Sequence, residues 1–224
     1  MITENSLIQP TQSKVLTPQS RVIEHSIFSL LGWVPRPLGT LLRSYAYRPL
    51  FGHLGKSVYI QEGVEVLGAN LVHIGDKVKI LRDVRMNIHF NNSSLHLGQE
   101  VSLDRGVDIV SGEDCQIDIG ERSYIGPYVC MSGPGHIRIG KGCLIAAHSG
   151  IYANNHRSYG TTREGIVIED SCWLGNGVKV LDGVTIGKCS VIGAGAVVSK
   201  NIPPHSVAVG VPAKVIKTSD WGLE

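Results

Sequence analysis

Residues 168–202 read IEDSCW-LGNGVK-VLDGVT-IGKCSV-IGAGAV-VSKNI, with hyphens placed every six residues. Stepping by six from Ile168 lands on Leu174, Val180, Ile186, Ile192 and Val198, all aliphatic. Four residues after each of these comes Cys172, Val178, Val184, Ser190, Ala196 or Ile202, each small or β-branched. Glycine directly follows the aliphatic position at Gly175, Gly187 and Gly193. Sandwich strands alternate with period two and do not stay phase-locked to a period of six over such a length. A six-residue period needs a short strand and a tight turn, repeated, so that the aliphatic residues stack in columns inside a prism.

The same frame recurs upstream at Ile74-Ile80-Met86, Leu97-Leu103-Ile109, Ile119-Ile125-Met131 and Ile139-Ile145-Ile151. Three hexapeptides close one triangular coil. Between blocks the step exceeds three hexapeptides by a few residues, which places the excess in loops at a corner. A weaker first coil is expected near Val58, Val64 and Val66. About seven coils at ~4.8 Å spacing give an all-β prism on the order of 30 Å long. Crowded corners account for glycine, since a Cβ has little room there.

Composition agrees with such a core. The 224 residues include 27 glycines, and aromatics are only 6%. Charged residues are 18%, against an ordinary level of about 25%. A net charge of +2 excludes a broadly basic nucleic-acid protein, and 42% hydrophobic content excludes wholesale disorder. The five cysteines, Cys115, Cys130, Cys143, Cys172 and Cys189, show neither a paired framework nor zinc-ligand spacing. They are expected as buried, reduced filler. No apolar run reaches the ~18 residues of a membrane span, and Met1–Gln19 lacks a signal-peptide apolar region. The expected location is cytoplasmic.

Four segments are expected along the chain. Residues 1–20 form a disordered or loosely attached tail, and 21–57 a helical cap or interfacial segment. Residues 58–217 form the prism with a loop insertion at 152–166, and 218–224 a C-terminal tail. Within the second segment, Leu38, Leu41, Leu42, Tyr45 and Ala46 follow helical spacing. No Asp or Glu lies between Glu24 and Glu62, whereas Arg36, Arg43, Arg48 and Lys56 do. The segment therefore reads as a cap for the open end of a solenoid, with peripheral membrane contact through residues 21–51 as the alternative.

The insertion after Ile151, IYANNHRSYGTTREG, is polar and non-repetitive. Function concentrates on such loops. Of nine histidines, His156 stands out there, flanked by Asn154 and Asn155. Residues 145–156, IAAHSGIYANNH, together with VIEDSCWLGNGVKVLDGVTIGKCSVIGAGAVVSKNIPPHSVAVGVPAKVIK, resemble the hexapeptide-repeat acyltransferases. The resemblance is to the sugar and polysaccharide O-acetyltransferase branch, with its maltose, galactoside and nodulation-factor acetyltransferases. It implies a left-handed parallel β-helix, acetyl-CoA as co-substrate, a homotrimer with the site between neighbouring prisms, and no metal.

Residue by residue, the resemblance makes His156 the general base that takes a proton from an acceptor hydroxyl. It puts Asn154 and Asn155 beside the acceptor, and Trp173, Gly175 and Asn176 at the thioester, where backbone N–H groups would meet a developing oxyanion. Ala194 falls beside the pantetheine arm, and Ser199, Lys200, Lys214 and Lys217 at the nucleotide end of the coenzyme. One position departs: the sugar acetyltransferases carry an acceptor-holding Asn where this chain has Gly126, so the acceptor side is not inherited. Two other functions remain open on the same architecture. A gamma-carbonic-anhydrase-like metal enzyme would need three converging imidazoles, and a catalytically silent scaffold or binding module needs no site at all.

Overall fold

The computed structural model describes residues 18–88, 90, 92–154 and 164–218, with side chains described from residue 22. His156, Asn155 and His89 lie outside the described residues.

The chain forms a left-handed parallel β-helix of three sheets, with seven, nine and seven strands. The first coil contributes His53–Leu54, Tyr59–Ile60 and Glu65–Leu67, one strand to each face. The last full coil contributes Thr185–Ile186, Val191–Ile192 and Val197–Val198. Register follows the period of six. On the first face Ile74 pairs with Leu97, Leu97 with Ile119, Ile119 with Ile139, Ile139 with Ile168, and Ile168 with Ile186. On the third, Met86 pairs with Ile109, then Met131, Ile151, Val180 and Val198 in turn. Every one of these side chains is buried.

All the extra residues fall at one corner, where the third face of a coil hands over to the first face of the next. The 3-10 turn Ala69–Leu71 is there, as are the segments between Asn87 and Ser94, Ser111 and Gln116, Gly133 and Ile137, and Tyr152 and Ile166. The other two edges are uninterrupted hexapeptide corners.

Glycine serves these corners in a way that positive φ alone does not explain. The left-handed corner position is held by twelve non-glycine residues, among them Lys77, Glu100, Tyr128 and His148. The demanding position is instead the one after the aliphatic residue. A Cβ on Gly120 would stand 2.5 Å from the carbonyl carbon of Gly140 in the next coil. Backbone cannot yield there, so Gly120→Val is expected to cost at least ~1–3 kcal/mol, read as a lowered denaturant midpoint with an unchanged m-value.

Two helices, α1 (Pro18–Leu31) and α2 (Leu38–Ala46), cover the first coil. Phe28, Tyr47 and Phe51 join the core beside them, with the Phe28 and Tyr47 rings 4.4 Å apart. Glu24 accepts from the N–H groups of Gly68 and Ala69 at 3.1 and 3.0 Å. The face that α2 turns inward is Gly39, Arg43 and, just past its end, Tyr47. Its apolar face turns outward, leaving Leu38, Leu41 and Tyr45 exposed beside Leu30 and Trp33.

The inward arginine is possible because the corner supplies acceptors. Arg43 donates to the carbonyls of Leu31 and Val34 at 2.8 Å each and of Ile60 at 3.1 Å. Glu62 stands 3.9 Å away. Helix ends leave backbone carbonyls short of donors, and one guanidinium fork donates to three carbonyls here, the Leu31 oxygen also accepting from the Val34 N–H at 3.3 Å.

Candidate active site

Residues singled out by sequence divide between two edges of the prism. Trp173 lies on the outer side of the second face, paired with Leu144 and Val191. The corner that follows is Gly175-Asn176-Gly177, and one coil further Gly193-Ala194-Gly195. The two corners touch: Gly195 donates to Asn176 O at 2.8 Å, and a Cβ on Gly175 would meet Ala194 N at 2.7 Å. Lys214 reaches the same edge through the C-terminal hairpin, opposite Val209, while Ala213 donates to Val197 O. Lys217 pairs with Val207, in the outward row that also contains Val191 and Trp173.

Ser199 and Lys200 sit on the other edge, past Val197–Val198, and are exposed. Asn154 is on that edge too, following Tyr152 two strands up the third face. From Ala194 to Ser199 the chain crosses that face, about 16 Å at ~3.3 Å per residue. Within one chain the predicted residues therefore form two half-sites, not one pocket.

The corner also corrects the expected oxyanion donors. The Gly175 N–H is spent on Ile192 O at 2.8 Å, and the Gly177 N–H on Ala147 O at 2.9 Å. Among the described residues, Asn176 and Ala194 are the amides of these two corners that no backbone hydrogen bond uses. Sequence identifies the glycines but not which N–H groups point outward, because that depends on the coil beneath.

The cysteines hold no nucleophile. Cys115, Cys143 and Cys172 are buried, with Sγ 3.2, 3.1 and 3.2 Å from the carbonyls of Gly135, Glu169 and Gly187. Cys130 departs from the expectation of buried filler. It is half-buried on the outer side of the third face, paired with Asp108 and Gly150. Burial, then Asp108, raises its pKa, so the thiolate is disfavoured. Among the described residues no three His, Cys, Asp or Glu stand where they could share a metal ion.

An imidazole ladder crosses the first face. His53 pairs with His73 and His73 with His96, the last two rings stacked at 4.7 Å and 12°. Burial, then His96 and His53, lowers the His73 pKa from 6.5. The unfolded chain therefore binds more protons below 6.5 than the folded one, so this contribution to stability is present above 6.5 and is lost as pH falls. The melting temperature is expected to drop between about pH 7 and pH 5, and His73→Gln to flatten that slope.

Comparison with known proteins follows the geometry. Residues 165–200 match the family described as bacterial transferase hexapeptide, six repeats. A protein named as an acetyltransferase from Staphylococcus aureus strain COL is 54% identical over 70 residues, 31% of this chain and 35% of that one. The galactoside O-acetyltransferase of Escherichia coli is 36% identical over 125 residues, 56% of this chain and 54% of that one. The matched part thus spans about half or less of these two curated relatives. Among solved structures, the polySia-specific acetyltransferase NeuO superposes with a TM-score of 0.62 at 25% identity, covering 75% of this chain and 79% of that one. An N-acyltransferase from Bacillus cereus shares the fold, with a TM-score of 0.58 at 17% identity over 78% of this chain and 88% of that one. By repeat over residues 165–200, and by shape over the β-helix, the chain is similar to the hexapeptide transferases. Within that class, the likeness is to acetyltransferases, the sugar O-acetyltransferases among them.

Proposed function

We propose that this chain transfers an acetyl group from acetyl-CoA to a hydroxyl of a saccharide or polysaccharide precursor, by direct attack. An alcohol is a weak nucleophile at neutral pH, so a base must take its proton as the bond forms. His156 fills that role, with an imidazole pKa ordinarily near 6.5. Asn154 and Asn155 flank the acceptor. The oxyanion on the thioester meets the outward N–H of Asn176, with Trp173 walling the site and Ala194 beside the pantetheine arm. Ser199, Lys200, Lys214 and Lys217 receive the phosphates and nucleotide.

The observation that carries this reading is the division into two edges. A loop carrying the base on one edge and thioester donors on another form one site when identical prisms close a ring. The assembly is a homotrimer, and each site takes its loop from one protomer and its corner amides from the next. Thiol release from acetyl-CoA in the presence of a saccharide panel tests the activity; no release with any acceptor contradicts it. Replacing Lys200 and Lys214 together by Gln is expected to raise the KM for acetyl-CoA about tenfold or more, as charge-assisted contacts are lost. An unchanged KM removes both lysines from the coenzyme site.

No helix among the described residues is long and apolar enough to cross a membrane. The protein works in the cytoplasm, and the outward face of Leu30, Trp33, Leu38, Leu41 and Tyr45 is its candidate contact with the inner membrane surface. Charge contributes little to that contact. Arg43 is buried, Arg36 pairs with Glu62 at 3.5 Å, and Arg48 donates to the carbonyls of Leu54 and Gly55. Co-sedimentation with neutral vesicles should therefore nearly equal that with anionic ones, and Trp33→Ser should weaken both.

A further inference from the structure

The edge that bears Asn176 and Ala194 continues toward the helical cap through the equivalent corners of earlier coils. Register places Arg82 above Arg105 and Arg105 above Pro127, because Ile80 pairs with Leu103 and Leu103 with Ile125. The same column then runs through Ala147 to Asn176 and Ala194. At its upper end lies a cleft of about 290 Å³ lined by Arg36, Gln61, Arg82, Asp104, Arg105 and Pro127, with Leu81 behind them.

Charge in this cleft breaks a rule that the neighbouring positions keep. The same two coils set Lys77 against Glu100 at 3.0 Å and Arg85 against Asp108 at 2.6 Å. Two coil boundaries further on, Lys141 meets Glu121 at 3.3 Å. Opposite charges facing across a ladder stabilise it and like charges oppose it. Arg82 and Arg105 hold the same frame position of adjacent coils with like charge, both exposed, and neither has a carboxylate partner among the described residues.

The acids nearby are committed elsewhere. Asp104 accepts from the Tyr124 hydroxyl and from the Arg105 N–H, and Glu62 pairs with Arg36 and Arg43. Gln61 is held too, its Oε1 accepting from the Arg82 N–H at 3.2 Å. Arg105 lies 5.9 Å over the Tyr128 ring, which stacks at 5.3 Å on His148 of the next coil. That stack braces one guanidinium. Two arginines on adjacent coils, whose backbones are about 4.8 Å apart, suit the oxygens of a carboxylate or phosphate, which guanidinium groups grip bidentately.

We infer that the Arg82–Arg105 cleft binds an anionic group, carboxylate or phosphate, carried by the acceptor some distance from the hydroxyl that is acetylated. The word acceptor rests on the acetyl-transfer reading; the anion site itself does not. Pro127 borders the cleft and adjoins Gly126, the position at which the acceptor-holding Asn of sugar acetyltransferases is missing. Three coil spacings, about 14 Å, separate Arg105 from Asn176. An acceptor that spans them is an extended acidic saccharide or a sugar bearing a phosphate, not a lone neutral sugar. The arginine pair thus supplies the hold that Gly126 cannot.

The test is calorimetric binding to the full-length chain of three probes: trigalacturonate, its fully methyl-esterified neutral counterpart, and inorganic pyrophosphate. Acetyl-CoA binding is measured on the same preparation. At low salt, trigalacturonate or pyrophosphate is expected to bind about tenfold or more tightly than the neutral ester, and to weaken as salt screens the charge. Arg82→Gln with Arg105→Gln is expected to erase that preference while melting temperature and acetyl-CoA affinity stay put. Preference for trigalacturonate identifies a carboxylate, and for pyrophosphate a phosphate. Equal binding of the three probes, or a preference that survives the double substitution, overturns the inference. Intact anion preference without acetyl-CoA binding would overturn only the enzymatic reading.

Discussion

His156→Ala is expected to lower acetyl transfer by about 10²–10⁴-fold, the usual contribution of a positioned general base. Acetyl-CoA affinity should change little, because in the proposed site the coenzyme contacts Trp173, Asn176, Ala194 and the lysines and not the imidazole. The pH profile separates this role from a structural one. In the native enzyme kcat/KM should rise with pH as the ring loses its proton near 6.5 and then level off, whereas the residual rate of the variant should follow the hydroxide dependence of the acceptor alone. A variant with near-normal turnover, or one with the same pH inflection as the native protein, removes His156 from the mechanism.

Arg43→Leu has the largest expected effect on stability. The substitution deletes the Arg43 donor to three carbonyls, Leu31, Val34 and Ile60, and leaves Glu62 paired, among the described residues, with Arg36 alone. Leaving a buried carbonyl without its donor costs about 1–3 kcal/mol. The side chain is wholly buried, so solvent cannot repair the loss. Because Arg43 ties α2 to the first coil, the melt should start at the cap: hydrogen exchange is expected to accelerate first at Leu31, Val34 and Gly39 and last in the coils around Ile145. A variant as stable as the parent would show that the cap does not depend on this fork.

Much of the fold was legible because one physical constraint repeats. Aliphatic side chains must stack in columns, so the period of six named the core positions from Ile74 to Val198 and their register. Even the slips between blocks carried information, since the added residues all leave by one corner. The cap resisted the same reading. Leu38, Leu41 and Tyr45 have the spacing of a buried stripe, but α2 buries the opposite side, where Arg43 satisfies carbonyls that local pattern cannot reveal. Cys130 was misjudged for a related reason: a cysteine fits small inward slots, yet this one sits at an outward position opposite Asp108.

For the site, motif likeness located candidate residues but not their grouping. Asn154, Ser199 and Lys200 on one edge, and Asn176, Ala194 and Lys214 on another, are separable only once the coils are laid in register. Likewise the motif marks Gly175, but its N–H is consumed by Ile192 O. The Arg82–Arg105 pair had a signal that could have been used. Both residues stand two positions after an aliphatic frame residue, Ile80 and Leu103, in blocks already aligned. Comparing charges at equal frame positions of successive coils would have exposed the like-charge pair.

The central claim is that one chain supplies the base and its neighbour supplies the thioester edge. It is tested most directly by co-expressing two differently tagged variants, His156→Ala and Ala194→Trp, each expected to be inactive alone. Purified through both tags, the mixed oligomer is predicted to recover acetyl transfer, because some of its sites pair an intact loop with an intact corner. A doubly tagged oligomer as inactive as either parent would contradict the shared site.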